Sequence, residues 1–81
     1  MAARLKIYVR SGCHLCTDMA QALDLLRPEL DFDYTQQNID ADPDLVERYG
    51  SRIPVLAAGD VEICYYFLEE QALRDYLDGS V

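Results

Sequence analysis

The sequence predicts an α/β domain with elements in the order β-α-β-α-β-β-α, forming a four-stranded mixed sheet with helices on both faces. Three observations lead there. Short β-rich runs alternate with stretches of helical period. The breaks between them fall on glycine and proline. A Gly59-Asp60 turn folds the last two strands into a hairpin, which makes the sheet mixed. Eighty-one residues suffice for a single domain with a small core, and a hydrophobic content of 51% excludes a disordered tail.

Leu5-Lys6-Ile7-Tyr8-Val9 alternates and reads as the first strand, broken by Ser11-Gly12. A helix is expected from about Cys13 to Arg27, with Met19, Ala22, Leu23 and Leu26 as its apolar stripe and Pro28 as its stop. Phe32 to Ile39 reads as the second strand, although its Gln36-Gln37-Asn38 end is unusually polar for a buried one. Asp42 suits a helix cap and Pro43 the first helical position; that short helix ends at Tyr49-Gly50, with Gly50 expected in the left-handed conformation. Pro54 opens a third strand, Pro54-Val55-Leu56-Ala57, and Val61-Glu62-Ile63-Cys64 makes the fourth. The last helix is expected over about Leu68 to Leu77, with Leu68, Ala72, Leu73, Tyr76 and Leu77 inward. The first three strands with their helical crossovers suggest β-α-β units.

Seven lysines and arginines stand against fifteen aspartates and glutamates, a net charge of -8. Such a surface serves solubility and repels phosphate backbones and anionic lipids, so neither nucleic acid nor membrane is expected as a partner. No apolar run approaches the roughly 20 residues of a membrane span. The start of the chain reads as a strand rather than a signal peptide, so a cytoplasmic location is expected, and a monomer. Three cysteines, an odd count, do not suit a secreted disulfide framework.

Cys13-His14-Leu15-Cys16 follows a strand and opens a helix. At a helix N-terminus, free backbone N–H groups and the dipole favour an anion, so a thiolate at Cys13 is stabilised and made more available as a nucleophile. Cys16, one turn in, is placed to resolve a mixed disulfide on Cys13. His14 adds positive charge there if protonated and is otherwise a neutral, solvent-facing side chain. Other readings stay open at this point. The pair is also half of a zinc site, with His14 and Cys64 the only further ligand candidates, or two inert core thiols. Cys64 reads as a core or edge cysteine.

Ile7-Tyr8-Val9-Arg10-Ser11-Gly12-Cys13-His14-Leu15-Cys16 resembles the strand-loop-helix active site of the glutaredoxins, within the thioredoxin superfamily. Asp40-Ala41-Asp42-Pro43 through Tyr49-Gly50-Ser51-Arg52-Ile53-Pro54-Val55-Leu56 resembles that family's second helix and cis-proline strand. The resemblance implies a thioredoxin-like fold and dithiol–disulfide exchange through Cys13 and Cys16, with no bound cofactor and with glutathione as a candidate electron donor. It implies a cis Ile53–Pro54 bond facing the cysteines, with Ile53 presenting its backbone to an extended protein disulfide substrate. Arg10 matches the basic residue that holds a glutathione carboxylate; on its own terms it reads equally as a solvated loop arginine. Two departures stand out. The family's Gly-Gly pair and aspartate after the fourth strand are replaced by Ile63-Cys64-Tyr65-Tyr66-Phe67, and His14-Leu15 replaces Pro-Tyr. These predict weak glutathione binding and leave an aromatic surface for a protein substrate. The runner-up function is a binding module of the same fold with little turnover, and a zinc-binding protein is third.

Overall fold

Alternation sets the first strand. In the computed structural model, which describes residues 3–79, β1 (Ala3–Val9) buries Leu5, Ile7 and Val9 on one face and directs Tyr8 to the other. Gly12 turns the chain at φ +73°, a backbone region that Cβ-bearing residues rarely enter. The first helix, α1 (His14–Leu26), then buries Cys16, Met19, Ala20 and Leu23, while Ala22 and Leu26 of the expected stripe are half-buried. β2 (Phe32–Asn38), α2 (Pro43–Tyr49), β3 (Val55–Ala58), β4 (Val61–Tyr65) and α3 (Glu70–Leu77) follow. The sheet order is β2-β1-β3-β4.

The element order and mixed sheet agree with the sequence reading, but four details differ. Only β1-α1-β2 is a parallel β-α-β unit; β3 runs antiparallel to β1, with Tyr8 opposite Val55. α2 has seven residues and so spans about 10 Å, too little to carry the chain back along the roughly 23 Å of β2 for a parallel return. Gly50 lies in the right-handed region, at φ -57°. Its lack of a side chain matters for space instead, since a Cβ there would collide with the carbonyl oxygen of Val46. β3 runs Val55–Ala58 in the interior of the sheet, so Pro54 leads into the strand instead of forming its first residue. α3 begins at Glu70, with Glu69 at its N-cap making no side-chain hydrogen bond, so Leu68 lies outside the helix.

Helices cover both faces. On one, α1 and α3 bring Met19, Leu23 and Leu73 onto Leu5, Ile7, Leu56 and Cys64. On the other, α2 places Tyr49 over Val55 and Ala57, where it stacks on Tyr8 at 4.3 Å between ring centroids. Each fully buried Leu, Ile or Met contributes roughly 1.5–3 kcal/mol. The polar end of β2 has a simple cause: β2 is an edge strand paired only to β1, so Gln36, Gln37 and Asn38 stay exposed. Among the described residues, no helix is long and apolar enough to cross a membrane.

Candidate active site

Cys13 is the N-cap of α1. Its extended backbone lets Sγ accept the N–H of Cys16 at 3.1 Å, and its carbonyl accepts from the amide and hydroxyl of Thr17. Cys13 and Cys16 are joined as a disulfide, with Cα atoms 5.2 Å apart. Cys13 is half-buried and Cys16 is 5% exposed, so one sulfur meets solvent and the other sits behind it. The first turn of α1 carries no acidic residue, which leaves its N-terminal dipole to Cys13. His14 is solvent-facing and lies 3.9 Å from the carboxylate of Asp18, one turn on.

Arg10 donates through Nε to Asp40 at 2.7 Å, and Asn38 donates to the Ser11 hydroxyl at 3.1 Å. Asp40 in turn takes its position from its backbone N–H, which donates to the Asn38 side chain at 2.8 Å. These bonds tie the 10–12 loop, which leads into Cys13, to the segment that follows β2. A shallow cavity of about 420 Å3 opens beside the pair, lined among others by Arg10, Cys13, Thr17, Gln21, Tyr34 and Gln36. Sequence reasoning missed Thr17 and Gln36 as parts of this lining, and Asp40 as the partner of Arg10. The odd polar end of β2 was the available signal, because Gln36 lines the cavity and Asn38 bonds the loop before Cys13.

Ile53 and Pro54 lie outside that cavity. The antiparallel register of β1 and β3 sets them beside the C-terminal end of β1, at the end of the sheet that leads to Cys13. The Ile53–Pro54 bond is cis. Tyr66 brackets this segment: its N–H donates to the Pro54 carbonyl at 2.9 Å and its hydroxyl to the Ser51 carbonyl at 2.6 Å. To do so it takes φ +65°, and Phe67 N–H bonds back to Tyr65, a tight three-residue turn. Tyr65, Tyr66 and Phe67 are all exposed.

Cys64 is a core residue, opposite Leu56 in the β3–β4 ladder, and burial raises its thiol above the ordinary value. It is a free thiol. Among the described residues, no group of three or more His, Cys, Asp or Glu side chains is arranged to hold a metal ion.

A three-layer domain with helices on both faces of a β2-β1-β3-β4 sheet, and a Cys-x-x-Cys disulfide capping its first helix, defines a protein of the thioredoxin-like class. Thioredoxin 1 of Thermosipho africanus shares this fold, at a TM-score of 0.60 and 15% identity over 95% of this chain and 97% of its own. Residues 4–78 match the family model described as Glutaredoxin-like domain (DUF836), and the chain belongs to that family. It is similar to protein Ne2328 of Nitrosomonas europaea, with a TM-score of 0.86 and 36% identity over 94% of this chain and 92% of the other. It also resembles protein XcR50 of X. campestris, with a TM-score of 0.73, 33% identity, and coverage of 93% and 96%. The uncharacterized protein Rv0508 of Mycobacterium tuberculosis is 30% identical over 88% of this chain and 78% of its own length.

Proposed function

We propose that this protein is a thiol–disulfide oxidoreductase in which Cys13 is the nucleophile and Cys16 the resolving thiol. The observation that carries the reading is the Cys16 N–H aimed at Cys13 Sγ at the start of α1, with Cys16 itself buried. A hydrogen bond to a thiolate and the helix dipole both favour the ionised form, so Cys13 is the sulfur that reacts at neutral pH. In the reduced protein, the Cys13 thiolate attacks a substrate disulfide. That S–S bond breaks, one substrate sulfur leaves as a thiolate that takes up a proton, and a mixed disulfide forms on Cys13. Cys16, giving up its proton to solvent, then attacks Cys13 Sγ. The second substrate thiol is released and the Cys13–Cys16 disulfide remains. Two electrons pass from the protein to the substrate, and an external thiol restores the pair. Such a substrate is a protein disulfide whose chain lies extended beside the backbone of Ile53, next to Pro54. Glutathione is a poor fit, because Cys64-Tyr65-Tyr66 stands where a glutaredoxin has its glycine pair.

Brief alkylation of the reduced protein near neutral pH, followed by peptide mapping, tests the assignment. Cys13 is expected to label first, with Cys16 slower and Cys64 unlabelled until the protein unfolds. Preferential labelling of Cys16 would overturn the roles.

A further inference from the structure

Two arginines flank the two segments of the site, and both are already held by carboxylates. Arg10, three residues before Cys13, is paired with Asp40. Arg52, two residues before Pro54, is paired with Glu62, gives a second bond to the Arg48 carbonyl, and lies against the rings of Tyr49 and Tyr65. Asp18 stands beside His14. Asp24 lines the same cavity as Cys13. The chain as a whole carries a net charge of -8. An anionic disulfide approaching Cys13 therefore meets a cation that is already neutralised, inside the field of an acidic surface.

Given the thiol–disulfide reading above, on which this rests, we propose that the site selects its substrates by charge. It accepts disulfides flanked by basic groups and disfavours anionic ones, and Asp40 is the residue that sets this preference by cancelling Arg10. The substrate class is then a protein disulfide on a basic segment rather than an acidic peptide or a small anionic disulfide. The Arg10–Asp40 pair is well exposed, with side chains 45% and 41% accessible, so its worth to folding is small. Its electrostatic consequence is local to the approach path. Removing the Asp40 charge frees the Arg10 guanidinium as an anion site, and removing the Arg10 charge leaves Asp40 uncompensated.

The test uses three small symmetric disulfides that differ mainly in charge: cystamine (cationic), hydroxyethyl disulfide (neutral) and dithiodipropionate (anionic). Each is reacted in excess with the fully reduced protein in a single turnover. Each rate is divided by the rate of the same disulfide with a neutral monothiol, which removes intrinsic differences in leaving-group reactivity. At low ionic strength the normalised rate for cystamine is expected to exceed that for dithiodipropionate by about tenfold, the lower end of steering effects. The ratio should collapse near 1 M salt, where charges are screened within about 3 Å. Within each variant the charged disulfides are compared with the neutral one: Asp40→Asn should shrink the cationic-to-anionic ratio by about two- to fivefold and Arg10→Gln should enlarge it, whatever change each variant makes to the neutral rate. A role confined to holding the loop would move all three rates together, and that result overturns the assignment of Asp40. Equal normalised rates for all three in the unaltered protein overturn charge selection while leaving thiol–disulfide exchange intact. Failure to reduce even the neutral disulfide overturns exchange itself, and this inference with it.

Discussion

Tyr34 shows how far one side chain's surroundings reach. Its hydroxyl lies 2.7 Å from the Asp24 carboxylate and 3.3 Å from the Ala20 carbonyl, joining β2 to α1 at the back of the cysteine cavity. Burial first, and then the Asp24 carboxylate, push its phenol up to about 12 from an ordinary 10.0. The sign follows directly: the folded state favours the neutral phenol. Its contribution is intact below pH 10 and is lost as pH rises through about 12. Denaturant unfolding at pH 9 and pH 11.5 should show a fall in stability that is smaller in Tyr34→Phe, which at pH 9 is itself weaker by about 1 kcal/mol for the lost hydrogen bond. Equal falls in the two proteins would refute this. At the same scale, Cys13 and Cys16 were legible from their spacing after a strand. The partner of Arg10 was not, because Asp40 lies 30 residues further along the chain and nothing local couples them. The positive φ of Tyr66 was equally hidden, since a bulky residue takes that conformation only where tertiary bonds hold it there.

Helix ends and strand edges account for most of what could be read at the level of elements. Asp42 caps α2 by accepting from the N–H groups of Asp44 and Leu45, with Pro43 at the first position, as its sequence predicts. The other end of α2 misled, because glycine at a helix terminus has two different uses. At Gly50 the backbone stays right-handed and bonds Val46 at 2.8 Å, so close that a methyl group has no room. Gly50→Ala should therefore destabilise the protein by about 1–3 kcal/mol, the cost of overpacking against rigid backbone, rather than gain the few tenths to 1 kcal/mol that alanine usually brings at a right-handed position. A denaturation midpoint equal to or above that of the unaltered chain would show that the terminus relaxes freely. The polar residues of β2 make sense only once the strand is known to be an edge, since an interior strand could not leave them in water.

Across the whole molecule, one sheet separates two unequal cores. The larger, between the sheet and α1 with α3, contains Leu73, the one fully buried residue of α3. The Arg74 ion pair with Glu29, at 3.0 Å, also ties α3 to the loop after α1, but an exposed pair of this kind is worth little beside the apolar contact. Leu73→Ala should cost about 2–5 kcal/mol. For a domain this small that is a large part of its stability, and the denaturation midpoint should drop with the slope unchanged. A loss below 1 kcal/mol would mean that α3 is loosely docked. Cys13 stands at the N-terminal end of α1, whereas the Arg74–Glu29 pair ties α3 to the loop after its C-terminal end, so the order of alkylation in the folded fraction should persist.

By itself the sequence determined what depends on neighbours along the chain. These are the alternation of β1, the stripe and capping thiol of α1, the Asp42-Pro43 start of α2, the hairpin at Gly59-Asp60, and with them the fold class. Each follows from spacing that one strand or one helical turn can sense. Only the tertiary structure decided the direction of β3, the burial of Cys64 behind Leu56, the pairing of Arg10 with Asp40, and the bracket that Tyr66 forms around Pro54. Those depend on which distant segments the sheet brings side by side. A short α2 and a strand register set that arrangement, and neither leaves a periodic mark on the residues it joins.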